Sequence, residues 1–312
     1  MRARVILAKD FVETAEGLIF AVVASGVEQG KVLCFLRYIK TATGWEKLAT
    51  EQANAFLARH HPDYLHYSPL LDAQLHAVAL ARIVRHYPAQ QRLRQLLQDR
   101  PEETVTADLS VLCQLLQGQG IDVSQLGVTG SILVGVQKTS SDIDLLCYER
   151  GLFQHCRAAI RALLAAGLLQ DLHDQDWQDS YQRRACALSF EDYVWHERRK
   201  GNKALVQGRK FDLSWVDARV IAPIQYQKCG FATVQCQVLD DTYAFDYPSL
   251  LVLDHAQYAT VVSFTATYAG QAVTGETVEI SGQVEQDPSG RQRLLVGSSR
   301  EATGEYIKVI RA

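Results

Sequence analysis

The 312-residue sequence lacks several features that mark specialised classes of protein. It has no C-x-x-C pair, its seven cysteines are an odd number, and its apolar runs fall short of the roughly 20 residues that span a membrane. It shows no internal repeat of the kind that marks solenoids. These absences argue against a disulfide scaffold, a zinc cage, a membrane-spanning protein and a repeat protein. Cysteines such as Cys34 lie inside apolar runs, which is typical of buried thiols in a reducing cytoplasm.

An excess of charge of one sign is also missing. The chain has 32 Lys and Arg against 35 Asp and Glu, a formal net charge of -3. Bulk charge therefore excludes a protein that coats nucleic acid, while a local basic face remains possible. The first residues reach Lys9 and Asp10 too soon to form a signal peptide. We therefore expect a cytoplasmic protein without membrane contacts.

Changes along the chain in the pattern of strand-like and helix-like segments predict an α+β protein with three domains. Residues 1–95 mix β-rich runs with helical patterns, including one over 72–85, and predict an α+β N-terminal domain. Residues 96–220 alternate helix and strand and predict a central domain of mixed sheet with helices. Residues 221–312 are strand-like runs separated by turns, which predict a small β-barrel-like domain; an OB-like barrel is one candidate.

The segment from Gly127 to Leu146 carries the strongest chemical signal. A strand ends at Gly130 and Ser131, a short helix follows, and a second strand begins with Asp142 and Asp144. Residues two apart on a strand share a face, so the two carboxylates project together and repel unless cations neutralise them. Mg²⁺ accepts one or two carboxylates and completes its coordination with water and phosphates. Gly130 and the Ser131 hydroxyl suit a phosphate at the turn.

A third carboxylate is available in a later strand. Asp212 lies between Phe211 and Leu213 in an apolar run, where a charged residue needs a partner. It can serve as a third ligand, or it can form a buried salt bridge with Arg or Lys. For Asp142 and Asp144, the alternatives are a solvated strand end or a structural cation site.

The spacing G-S, ten residues, D-I-D resembles the signature of the polymerase-β-like nucleotidyltransferase superfamily. The match covers Gly130, Ser131, Asp142 and Asp144 and extends over residues 108–216, about a third of the chain. The chain as a whole also resembles uncharacterised predicted nucleotidyltransferases of archaeal type. The resemblance implies a central nucleotidyltransferase domain flanked by the N-terminal and C-terminal domains.

The same resemblance implies an enzyme and its cofactors. Asp142, Asp144 and Asp212 would bind two Mg²⁺ ions, or Mn²⁺, and Asp212 would help to deprotonate the acceptor hydroxyl. The Gly-Ser turn would hold the nucleoside triphosphate, and the reaction would transfer a nucleotide to a hydroxyl with release of pyrophosphate.

The chain departs from the family at one position. Many members have an arginine directly after Gly-Ser, whereas this chain has Ile132. We expect Lys138 to supply the positive charge instead, and we place Ser141 with it among the nucleotide-binding residues.

The acceptor is predicted from local charge. Residues 183–210 carry eight Lys and Arg against three Asp and Glu, a net charge of +5. This segment could hold an RNA backbone together with the C-terminal β domain, or it could be a solvated helix face. We expect an RNA acceptor such as a tRNA-like 3′ end. The alternatives are transfer to a protein or small molecule, and a catalytically silent nucleotide- or RNA-binding module.

Overall fold

The computed structural model describes residues 5–69, 72–99, 103–217, 224–298 and 302–310. These residues form seven α-helices and three β-sheets, so the predicted α+β class is confirmed. The chain divides into two compact units. The first contains Met1–Ser68, Gln74–Gln170 and Ala204–Ile221, and the second contains Pro69–Ala73, Asp171–Lys203 and Ala222–Ala312. The predicted boundary near residue 95 falls inside the first unit, between its two sheets.

The first sheet of unit one is built from the N-terminal strands. The elements here are β1 (Phe11–Thr14), β2 (Leu18–Val22), β3 (Lys31–Thr41), β4 (Gly44–Lys47), α1 (Thr50–His60), β5 (Leu65–Ser68), β6 (Ala73–Ala79), β7 (Ile83–Tyr87) and α2 (Ala89–Gln98). Six of the strands are ordered β5-β6-β3-β2-β1-β7, and β4 pairs with β3. Alternation along the strands buries Val12, Phe20 and Leu36 against Leu57 of α1, which forms the core on this side.

The helix predicted over residues 72–85 is wrong. This segment forms β6, a short 3₁₀ turn (Leu80–Arg82) and β7. Its Ala, Leu and Arg residues have high helix propensity, but β6 pairs with β3, from Lys31 opposite Ala79 to Cys34 opposite His76. Sheet pairing and burial of Val78 outweigh a propensity of a few tenths of a kcal/mol per residue.

The second sheet of unit one is mixed. Its elements are α3 (Thr104–Gly118), β8 (Leu126–Val128), α4 (Gly130–Val134), β9 (Ile143–Cys147), α5 (Arg150–Ala165), β10 (Lys203–Val206) and β11 (Arg209–Trp215). The strand order is β10-β11-β9-β8; β9 is parallel to β11 and antiparallel to β8. Helix α5 buries Phe153, Ile160 and Leu163.

A shared core joins the two sheets of unit one. Ile19 and Tyr38 of the first sheet belong to the same buried cluster as Leu133 of α4 and Leu146 of β9. Residues from the N-terminal strands therefore lie close to the segment that carries the Gly-Ser and D-x-D motifs.

Unit two contains a β-barrel. Its elements are α6 (Asp174–Arg184), α7 (Phe190–Lys200), β12 (Gln227–Asp240), β13 (Ser249–Asp254), β14 (Thr260–Ser263), β15 (Thr277–Gln286), β16 (Gln292–Val296) and β17 (Tyr306–Val309). Five strands close a ring in the order β12-β13-β14-β16-β15, because β15 also pairs with β12, and β17 adds to β15. The pairing of β14 with β16 is parallel, and the predicted β-barrel is confirmed as a five-stranded ring.

All seven cysteines lie in the described part of the chain and are free thiols, and five of them are buried. The predicted buried thiols are thus confirmed at Cys34, Cys113, Cys147, Cys156 and Cys236. None of the helices that the structure describes is both long enough and apolar enough to cross a membrane.

Candidate active site

The register of two parallel strands places two predicted carboxylates side by side. Asp144 of β9 is directly opposite Asp212 of β11, with Phe211 opposite Ile143 one position earlier. Neighbouring strands lie about 4.8 Å apart, and opposed residues project from the same face of the sheet. The buried Ile143 and Phe211 occupy the other face. Asp212, predicted from its place in an apolar run, therefore lies next to Asp144, although the two residues are 68 positions apart in the sequence.

Glycine is required at position 130 because the backbone there packs directly against the side chain of Asp144. Its φ of +68° lies in the left-handed region, and a Cβ at this position would collide with Oδ2 of Asp144. The neighbouring Thr129 donates its backbone N–H to the carbonyl oxygen of Asp144 at 2.9 Å. The glycine of the motif thus allows the turn to pack directly against one of the carboxylates.

The environment of Asp144 disfavours its charge. Burial, followed by the neighbouring charge of Asp212, raises the pKa of Asp144 from 3.8 to about 6, and Asp142 acts in the same direction. Lys9 and Lys210 lower the pKa and offset part of the effect. Two adjacent carboxylates in a partly buried site are stabilised when a cation is shared between them.

Asp142 lies just before β9 and is paired with a lysine. Its Oδ2 is 3.9 Å from Nζ of Lys210, whose side chain is only 8% exposed. Lys210 is two residues before Asp212, so the strand period places both on one face of β11. This spacing was a signal in the sequence that could have placed Lys210 in the site.

The three carboxylates suit a divalent cation by chemistry, because hard oxygen donors are what Mg²⁺ prefers. Among the residues that the structure describes, however, no three Asp, Glu, His or Cys side chains form a group that could hold a metal ion. The three-carboxylate metal site therefore stays a prediction, supported by the Asp144–Asp212 pairing and by the cost of keeping both ionised.

A hydrogen-bonded loop connects the remaining predicted residues. Ser131 donates from Oγ to Oγ of Ser141 at 3.2 Å, and the backbone N–H of Lys138 donates to the same Ser141 oxygen at 2.9 Å. Ser141 therefore ties the loop to the start of α4. The side chain of Lys138 is exposed.

Arg209 holds this loop from the opposite side. Its Nη1 donates to the carbonyl oxygens of Thr139 and Ser141 at 2.7 and 2.8 Å, and its Nε donates to Asp108 at 2.6 Å. The guanidinium makes these contacts from two nitrogens held in one plane, with Nη1 shared by the two carbonyl oxygens. The sequence pattern counted Arg209 only as part of a basic segment and gave no sign of this role.

The basic segment 183–210 is largely engaged in ion pairs. Those within unit two are Arg198–Asp171, Arg199–Glu276, Lys200–Glu197 and Lys203–Glu197; those within unit one are Arg209–Asp108 and Lys210–Asp142. Lys200 is only 2% exposed. Five of these six cations are less than a quarter exposed, whereas Arg198 is 51% exposed and pairs with Asp171 at the surface. The ion pairs compensate much of the segment's charge, and RNA binding by this segment stays a prediction.

The predicted acceptor surface on the C-terminal β region has a similar character. Within unit two, Arg291 pairs with Asp287, Arg293 with Glu285, and Lys308 with Asp192. Residues 222–312 carry six Lys and Arg against ten Asp and Glu. A net negative charge works against phosphate backbone binding over this region as a whole.

Comparison with known proteins places the chain in a family. It is 31% identical over 337 aligned positions to an uncharacterized protein of Methanocaldococcus jannaschii, covering 97% of this chain and 98% of that protein. The chain therefore belongs to the same family as that archaeal protein. No protein-family model matches the chain, and no solved structure matches it. The relative's description states no activity, so the nucleotidyltransferase resemblance remains a prediction.

Proposed function

We propose that the chain is a divalent-metal-dependent nucleotidyltransferase that transfers a nucleotide from an NTP to an acceptor hydroxyl and releases pyrophosphate. The observation that carries the proposal is the direct opposition of Asp144 and Asp212 beside Gly130. A salt bridge to Arg or Lys would explain one buried carboxylate. It would not explain why two are placed side by side against a turn that must be glycine.

The residues of the site would have separate roles in such a reaction: metal binding, proton transfer and positioning of the triphosphate. Asp144 and Asp212, with Asp142 as the third carboxylate, would hold the metal, and Asp212 would help to accept the proton of the attacking hydroxyl. Bound there, divalent cations supply charge neutralisation at the reacting phosphate and at the leaving pyrophosphate. Ser131 and the loop held by Arg209 would orient the triphosphate, because positioning and electrostatic stabilisation together account for most of the catalysis of phosphoryl transfer.

The acceptor class is the second part of the proposal. We keep RNA as the acceptor to be tested first, on the basis of the local basic segment. The ion pairs of residues 198–210 reduce the charge available to a phosphate backbone. Proteins and small molecules with a free hydroxyl are the competing acceptors.

The test is label transfer from each α-³²P-labelled NTP with Mg²⁺ or Mn²⁺, in the presence of total RNA or a protein lysate. Asp144→Asn and Asp212→Asn keep the size of each side chain while removing the charge, and the exposed Asp254→Asn of the barrel is the matched control. Label that depends on Asp144 and Asp212 but not on Asp254 supports the enzyme. The labelled fraction then identifies the acceptor class.

The opposite results are equally informative. Label on protein would replace RNA as acceptor and leave the chemistry intact. NTP binding without any transfer would favour a silent binding module. Transfer that survives loss of Asp144 and Asp212 would remove the site assignment itself.

A further inference from the structure

Lys9 is held in an uncommon backbone conformation next to the candidate active site. Its φ is +72°, a region that residues other than glycine rarely adopt. Its N–H donates to the carbonyl oxygen of Val22 at 2.8 Å, and its own carbonyl accepts from Oγ1 of Thr129 at 2.6 Å. The next residue, Asp10, is buried and accepts from the N–H of Ala89 at 3.0 Å. The turn is therefore anchored on both sides of Lys9.

Thr129 links this turn to the carboxylates. It precedes Gly130, and while its side chain binds Lys9, its backbone N–H binds the carbonyl oxygen of Asp144. The side chain of Lys9 is exposed, and its charge lowers the pKa of Asp144 against the effect of burial. Tyr38 of β3 also lies near the site, because it belongs to the buried cluster that contains Leu133 of α4 and Leu146 of β9.

The motif itself supplies no cation directly after Gly-Ser. Ile132 occupies that position and is fully buried in α4, so it cannot contact a substrate. Lys210 is nearly buried and pairs with Asp142. Two exposed lysines, Lys138 and Lys9, can meet the negative charge of a substrate approaching from solvent. Lys9 is the one whose backbone is bound to Thr129, the residue directly before Gly130.

We propose that Lys9, in the turn before β1, is a substrate-binding residue that contacts the triphosphate of the NTP held at the Gly130–Asp144–Asp212 site. This inference rests on the proposed function. An ammonium group binds phosphate oxygens as a point charge and requires no fixed plane. The turn before β1 thereby completes the substrate site, while the N-terminal sheet packs against the sheet that carries the carboxylates.

The variants are chosen to separate charge from backbone conformation. Lys9→Asn removes the charge and keeps a residue that tolerates a positive φ, and Lys9→Gly removes the charge together with any backbone strain. Lys9→Arg restores the charge. The control is Lys31→Asn at the start of β3, which lies seven residues from Tyr38, roughly 23 Å along an extended strand.

Two readouts are measured for each variant: equilibrium binding of an NTP and of inorganic tripolyphosphate, and kcat and KM in label transfer. We expect Lys9→Asn and Lys9→Gly to weaken both ligands and raise KM for NTP by about 10-fold, the effect of one charged hydrogen bond. Lys9→Arg and Lys31→Asn should match the wild type. A purely structural role would lower thermal stability or kcat without this selective loss of triphosphate affinity.

The experiments distinguish failure of the Lys9 inference from failure of the proposed function. If transfer requires Asp144 but Lys9→Asn binds NTP and tripolyphosphate like the wild type, the Lys9 inference is wrong and the proposed function stands. If the wild type transfers no label but binds tripolyphosphate through Lys9, the Lys9 site stands without the enzyme. A wild-type protein that binds no triphosphate overturns both.

Discussion

Replacing Gly130 with alanine should destabilise the protein and disrupt the site, whereas the same change at Gly135 should only destabilise it. Both glycines belong to the short helix α4, Gly130 as its first residue and Gly135 directly after its end, and their φ values are +68° and +74°. A Cβ at Gly130 would collide with Oδ2 of Asp144, whereas nothing lies within 4 Å of one at Gly135. An alanine at either position therefore has the free-energy cost of a positive φ, but only an alanine at position 130 also collides with Asp144.

The magnitudes follow from these two contributions. A left-handed conformation costs a residue with a Cβ about 1–2 kcal/mol, which applies to both variants. Forcing a new atom against a packed group costs about 1–3 kcal/mol more, which applies only to Gly130→Ala. We therefore expect losses in unfolding free energy of about 1–2 kcal/mol for Gly135→Ala and about 2–5 kcal/mol for Gly130→Ala.

Urea unfolding gives the stability of each variant, and label transfer gives kcat/KM. Displacing Asp144 by about 1 Å should reduce transfer roughly 100-fold in Gly130→Ala, and Gly135→Ala should stay close to the wild type. Equal stability and equal activity of the two variants would show that Asp144 does not pack on Gly130. The stability comparison is valid whether or not the protein transfers nucleotides.

Three further predictions concern substitutions of Asp144, His76 and Arg209. Because the pKa of Asp144 is raised to about 6, the contribution of its protonated form to stability is complete below pH 3.8 and is lost as pH rises through 6. Asp144→Asn without divalent cations should therefore be more stable than the wild type by up to about 3 kcal/mol at pH 8 and of equal stability at about pH 3, and a gap independent of pH would contradict this. Burial lowers the pKa of His76 to about 4, and its neutral ring accepts a hydrogen bond from the N–H of Leu36 and donates one to Asn54. The contribution of His76 to stability is therefore present above pH 6.5 and is lost as pH falls through 4. Urea unfolding should show that the difference in unfolding free energy between the wild type and His76→Gln shrinks by about 3 kcal/mol over this range. Arg209→Lys should cost about 1–2 kcal/mol and raise KM for NTP, because lysine has no counterpart of the Nε–H that donates to Asp108 while Nη1 binds the two loop carbonyls, and an unchanged KM would argue against a role for the loop.

Local features of the site were predictable because they depend on short-range backbone geometry. The strand period of two places Asp142 and Asp144 on one side, and the need for a positive φ without a Cβ explains why the turn residue is Gly130. The hairpin of β10 and β11, which turns at Gly208 with a φ of +76° and carries Asp212, depends on the same short-range geometry. Each of these rests on spacing within about ten residues.

The sequence by itself therefore determined the α+β class, the buried thiols, the barrel and the candidate carboxylates with their glycine. Only the tertiary structure decided that Asp144 lies opposite Asp212 and that the carbonyl oxygen of Lys9 binds Thr129, 120 residues away in the sequence. It also decided that residues 72–85 form strands. Pairing register and ion-pair partners depend on which distant segments pack together, and the free energy of that packing outweighs local propensity.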